Sequence, residues 1–173
     1  MLTFKTRIFK NRGRTIIVED DQPAGEITVD NYAGHATFHD QPYAFTFVPV
    51  TDGLAGRAAK RAAHAIKPGA AVTLTGATPE PKLAEARYSP DHQWVVTGPD
   101  GRAWAIKSFG FKQHLEVLDG ETSVGRLSPK GISATADLPA EVHPLSQLLL
   151  LFIARCTFKA RNDASSSNLS AIG

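Results

Sequence analysis

Hydrophobic and polar positions alternate with a period of two through much of this chain. Near the N-terminus Leu2, Phe4, Thr6 and Ile8 fall on one side of the pattern and Lys5 and Arg7 on the other, as in a half-buried strand. The alternation breaks at "NRGR" and resumes in "TIIVEDD", "GEITV", "GHATFH" and "PYAFTFVPV", where Tyr43, Phe45 and Phe47 alternate. β-Branched and aromatic residues at this spacing suit pleated strands. Residues 54–67, "LAGRAAKRAAHAIK", depart from it. Their alanine content predicts a helix, entered after the turn "VTDG" and stopped by "KPG". Strand patterns return in "AAVTLTG" and "KLAEARYS".

Two hairpins follow. "HQWVVTGPDGRAWAIKS" centres on a Pro-Asp-Gly turn, in which Pro presets the first position and Gly101 takes the left-handed one of a three-residue loop. That register puts Trp94, Val96, Trp104 and Ile106 on one face. "HLEVLDGETSVGRL" holds Asp119-Gly120, a two-residue hairpin signal, and predicts Leu115, Val117, Thr122 and Val124 on one face. A last strand, "KGISATADLP", leads into "HPLSQLLLLFIARCTFKAR". Pro144 suits a first helical position, and the helix is expected to run to about Lys159. The polar "NDASSSNLSAIG" reads as a tail, so residues 1–161 form the expected domain and 162–173 an appendage.

The segment Leu148, Leu149, Leu150, Leu151, Phe152, Ile153 decides the architecture. At about 100° per residue these six cover every direction around a helix axis. A helix apolar all round is buried all round, and in a chain of this size a closed sheet is what can surround it. A membrane span needs about 20 mostly apolar residues, and Gln147 and Arg155 bracket a much shorter run. The expected fold is therefore mainly β. It is an antiparallel β-barrel of about 10–12 strands plugged by its hydrophobic C-terminal helix, with one mid-chain helix. The alternative is a helix held between the sheet and a partner protein.

The totals change this picture little. With 173 residues, one domain with a real core is the simplest reading. A hydrophobic share of 42% and a charged share of 21% are ordinary for a globular chain. A net charge of +2 does not mark a nucleic-acid protein, so any positive field must come from clustering. The single cysteine, Cys156, permits no intramolecular disulfide and reads as a small core residue. The N-terminus lacks the apolar stretch and cleavage site of a signal peptide. A cytoplasmic protein, some of it peripheral to a membrane, is the expectation.

"AGEITV" and "SVGRLS", "GPDGRAWAIKS", "FKQHLEVLDGETSVGRL" and "LPAEVHPLSQLLLLFIAR" together resemble the tubby C-terminal-like superfamily. That group includes tubby proteins, phospholipid scramblases and LURP-one-related proteins. The resemblance implies a many-stranded barrel around a central hydrophobic helix, and phospholipid binding as an activity class. It transfers no site residue, because the basic lipid-binding motif of tubby domains has no counterpart that can be placed here. The acylated cysteines and acidic calcium segment of scramblases are absent from the sequence. The glycine-containing strands at Gly25-Ile27 and Gly125-Leu127 also hint at an internal duplication.

Candidate chemistry is sparse. Arg57, Lys60, Arg61, His64 and Lys67 fall within an arc of about 120° at helical spacing, and no acid lies between Leu54 and Lys67. Adjacent unpaired cations repel one another and gain from a shared anion, so this face is the candidate anion or lipid-headgroup site. A solvated polar helix face is the plainer reading. Lys5, Arg7, Lys10, Arg12 and Arg14 form a second basic run, which would also serve to protect an edge strand. His35, Thr37 and His39 are expected on one strand face, but a third metal ligand is lacking. Trp94 and Trp104 suit a core or a stacked ligand. Arg155 and Lys159 suit the negative end of the helix dipole. The aspartates 20, 21, 52, 100 and 119 read as turn formers. Motifs for acyl transfer, nucleotide binding and zinc hydrolysis are missing.

The functional expectation is a non-enzymatic binding module without metal or cofactor. Its partner would be an anionic phospholipid, another polyanion or an unidentified protein. The alternatives are a carrier of a small apolar ligand in an open lumen, and an enzyme whose site carries no recognisable motif.

Overall fold

The computed structural model describes residues 2–6, 15–30, 33–48, 50, 66, 68–79, 81–108, 114–130 and 133–169. They form twelve strands in one antiparallel sheet and a C-terminal helix. The strands are β1 (Leu2–Thr6), β2 (Thr15–Glu19), β3 (Gln22–Asp30), β4 (Ala33–Phe38), β5 (Gln41–Val48) and β6 (Ala71–Thr75). They continue as β7 (Lys82–Tyr88), β8 (Trp94–Thr97), β9 (Ala103–Ser108), β10 (Leu115–Asp119), β11 (Thr122–Lys130) and β12 (Ser133–Asp137). The helix is α1 (Pro144–Leu169). The mid-chain helix expected over 54–67 lies outside the described residues apart from Ile66, which is not helical.

Every strand is hydrogen-bonded to its sequence neighbours, and β1 also pairs with β12 through Thr3↔Thr135 and Phe4↔Ala134. The neighbour order thus returns on itself as a closed barrel. This seam is its shortest ladder, against five register pairs between β1 and β2. With neighbours on both sides β1 is not an edge strand, which removes edge protection as a reason for Lys5.

Inward positions follow the period-two pattern. Trp94 pairs with Ile106 and Val96 with Trp104, and all four are buried, the face expected from sequence. In the intervening loop Gly101 has φ +77°. The next hairpin departs from expectation. Leu115 pairs with Leu127 and Val117 with Gly125, and the register then shifts so that Leu118 pairs with Ser123. Val124 is the extra residue of a β-bulge. Parity along β11 is reset, so Leu127 is buried while Thr122 is exposed.

The same bulge occurs at Ile17/Val18 between β2 and β3, and again at Leu74/Thr75 between β6 and β7. In the first and last of these hairpins the inward residue beyond the bulge is glycine. A Cβ on Gly25 would collide with the Thr37 carbonyl oxygen, and one on Gly125 would come within 2.5 Å of the Asp137 carbonyl oxygen. The duplicated glycine thus marks where a neighbouring backbone closes in.

The helix lies among these inward faces. Leu148, Leu149, Leu150, Leu151, Phe152, Ile153 and Ala154 are each 0% exposed. Phe152 stacks on Phe45 of β5, with centroids 4.2 Å apart and planes 7° from parallel. Its ring also approaches Gly34 of β4. The helix packs further against β1, β7, β8, β11 and β12. Contacts in so many directions explain why no polar stripe is present on this stretch. The helix also runs ten residues beyond the expected end at Lys159, into the segment read as a tail.

Candidate functional site at the basic end of the barrel

An antiparallel sheet in which each strand pairs with the next sends successive connections to alternate ends. One end receives the connections after β1, β3, β5, β7, β9 and β11, where Thr6 meets Thr15, Asp30 meets Ala33 and Val48 meets Ala71. The other receives those after β2, β4, β6, β8, β10 and β12, where Glu19 meets Gln22 and Asp119 meets Thr122.

Charge is sorted by this alternation. The segments joining strands at the first end contain Arg7, Lys10, Arg12, Arg14, Arg57, Lys60, Arg61, Lys67 and Lys112 against Asp52 and Asp91. Those at the second end contain Asp20, Asp21, Asp40, Glu80, Asp100, Glu121 and Glu141 against Arg102. The connections anchored at one end of the sheet are thus net basic in sequence and those anchored at the other net acidic, within a modest net charge of +2. Both basic runs singled out in the sequence fall in connections whose flanking strands end on the same side of the sheet. Arg57, Lys60, Arg61, His64 and Lys67, like Arg7, Lys10, Arg12 and Arg14, lie outside the described residues. Of Lys5 only the backbone is described. The anchor points of these segments, not their conformations, carry the assignment.

The helix follows the same polarity. Ser146, in its first turn, is fully buried beside Gly98 at the acidic end. Arg155 reaches Thr15, the first residue of β2, at the basic end, with Nη1 donating to Oγ1 at 2.6 Å. Burial pushes the Arg155 guanidinium pKa down from its ordinary value. At this position, well inside a helix that ends at Leu169, the helix dipole expected to stabilise it has little effect.

At the acidic end the turns are short and make their own bonds. Asp20 and Asp21 have φ of 46° and 64°, and His39 and Asp40 have φ of 48° and 61°. Two consecutive left-handed residues match the twist of a two-residue hairpin. His39 is therefore a turn residue and does not continue the face of His35 and Thr37. Its Nε2 lies 2.9 Å from Glu19 Oε2, and its ring packs 4.2 Å from that of Phe38. Among the described residues no group of three or more His, Cys, Asp or Glu side chains could hold a metal ion. Asp100 Oδ1 accepts from the Arg102 amide at 3.2 Å, and Asp119 Oδ2 accepts from Arg102 Nη2 at 2.9 Å.

The tryptophans belong to the wall. Trp94 packs on Tyr88 with centroids 5.2 Å apart, and the Arg102 guanidinium lies 4.6 Å above the Trp104 ring. Both rings are buried, away from any ligand-accessible face. Cys156 is 3% exposed and is a core residue. A surface depression of about 600 Å³ runs from Glu85, Arg87, Val95 and Thr97 on the wall to Pro68, Gly69, Ser89 and Pro90 in the connections after β5 and β7. There Glu85 accepts from Arg87 Nε at 2.9 Å and from Lys82 at 3.3 Å. These are satisfied ion pairs, not groups poised for catalysis. No described helix is long and apolar enough to cross a membrane. No protein-family model, curated protein or solved structure matches the chain.

Proposed function

We propose that this protein is a non-enzymatic binding module, tubby-like in build, that presents the basic end of its barrel to anionic phospholipid headgroups. One observation supports the reading: both basic runs occur in connections whose flanking strands end on one side of the sheet, whereas the connections anchored on the other side are rich in acids. A surface of one sign acts as a unit, because each basic side chain near an anionic membrane contributes about 1 kcal/mol. Scattered over the barrel, the same charges would be screened separately. The helix supports the reading by occupying the space that a carrier of an apolar ligand would need empty.

The test is vesicle flotation with phosphatidylserine-containing and neutral vesicles at low and high salt. Wild type should float only with the anionic vesicles, and less at high salt. Arg57→Ala/Lys60→Ala/Arg61→Ala should lose roughly a hundredfold in affinity, as three contacts of about 1 kcal/mol predict. Unchanged flotation of the triple variant would sink the proposal.

A further inference from the structure

Arg155 is half-buried on the helix, between Ala154, which is 0% exposed, and Cys156, which is 3% exposed. Its guanidinium reaches across to β2 and donates from Nη1 to Oγ1 of Thr15, itself fully buried. An arginine keeps its proton even where burial disfavours the charge. Among the described residues no carboxylate forms an ion pair with it.

A guanidinium offers five N–H donors, and a neutral hydroxyl satisfies one of them. Its planar fork matches two oxygens of a single oxyanion, in the strongest type of hydrogen bond a protein makes. Moving a cation out of water without a counter-charge is expensive. That cost is recovered when an oxyanion arrives, so selectivity comes from the site being half-built beforehand.

We propose that Arg155, braced by Thr15, binds one phosphate-type oxyanion where the helix leaves the barrel. The inference rests on the lipid-binding reading for its setting but concerns a single site. The shared chemistry is a phosphate group, supplied either by a lipid headgroup or as free phosphate.

Thermal unfolding in inorganic phosphate, with ionic strength matched by chloride, tests it. Phosphate should raise the wild-type Tm. Arg155→Lys keeps the charge but loses the fork, and should need at least about tenfold more phosphate for the same rise. An equal response of wild type and Arg155→Lys overturns the proposal, as does a wild-type Tm that ignores phosphate. If Arg155→Lys does not fold, the Arg155 Nε–H resonance of the wild type decides: it must shift on phosphate titration, and a static resonance refutes the site. Flotation separates the sources. Phosphate that competes with anionic vesicles points to a headgroup site, whereas Arg155-dependent stabilisation without competition points to free phosphate. Loss of flotation in the triple variant alongside an indifferent Arg155 would retain the lipid reading and discard this site.

Discussion

The two ends of the barrel are built for different purposes. At the acidic end, two-residue turns with left-handed Asp20, Asp21, His39 and Asp40 close the hairpins tightly. Val142 and Ser146 seat the helix start in full burial. At the basic end the connections 7–14 and 49–70 are long and cationic, and the helix continues past the last buried residues. At the acidic end Asp100 accepts from the Arg102 amide and Asp119 from the Arg102 guanidinium. The connections anchored at the basic end carry nine lysines and arginines against Asp52 and Asp91. Stability should therefore depend on the helix and the tight end, and binding on the other.

The strongest test of that division is the helix core. Phe152→Ala and Leu148→Ala should each destabilise by about 3–5 kcal/mol, the usual range for large core truncations, read by urea denaturation. Leu148 lies toward the helix start and Phe152 toward the basic end, so equal losses mean enclosure along the whole stretch. If Phe152→Ala loses less than about 1 kcal/mol, its stacking on Phe45 and its burial count for little. The basic end would then be open much deeper than its exposure indicates.

A smaller effect separates the two glycine hairpins. Gly25→Ala and Gly125→Ala each place a Cβ against a neighbouring carbonyl oxygen and should lose about 1–3 kcal/mol, as overpacking does. The approach is closer at Gly25, so it should lose more. The reverse order in thermal melts would show that β12 yields less readily than β4.

These hairpins also show what the sequence could disclose. Alternation in "WVVT" and "AWAIKS" places Trp94, Val96, Trp104 and Ile106 because side-chain parity along an unbroken strand is fixed. Parity fails in "TSVGRL", where an unpaired Val124 inserts one residue, and nothing in the residue types announces that insertion. The all-round apolarity of Leu148 to Ile153 dictates burial because no helix direction is left for solvent. The extension of the helix to Leu169 was not visible, since "NDASSSN" has no apolar stripe to signal it. The two basic runs could be found by eye, but that their flanking strands end on the same side of the sheet could not. It follows from strand order, and so does the engagement of Arg155 with Thr15 across 140 residues. His35 and His39 misled for the opposite reason, because a turn interrupts the strand periodicity between them.

Charge changes should move binding and leave stability nearly untouched, and the two ends should differ in sensitivity. Glu121→Lys/Glu141→Lys, at the acidic end, should alter stability by no more than about 0.5 kcal/mol. It should change affinity for anionic vesicles by less than about twofold. Strands of four to nine residues separate the ends by about 3.3 Å per residue, beyond the Debye length of about 10 Å at 0.1 M salt. A large gain in flotation would mean that the whole barrel, not one end, senses the membrane.

The smallest expected effect lies on the wall between the ends and serves as their common reference. Burial would raise the Glu85 carboxyl pKa, but hydrogen bonds and charge from Arg87 and Lys82 together outweigh it and hold the pKa below the ordinary 4.5. A carboxylate depressed in the folded state stabilises above its unfolded pKa and loses that contribution as pH falls through the folded value. Glu85→Gln should therefore lower stability at neutral pH by less than about 1 kcal/mol, as exposed ion pairs do. The difference from wild type should shrink below pH 4.5 and vanish in more acidic solution. Flotation at neutral pH should not change, because Glu85 belongs to neither end. A gap between the melting curves that persists at acidic pH would show that Glu85 acts through packing, and that the wall ion pairs stabilise the barrel independently of charge.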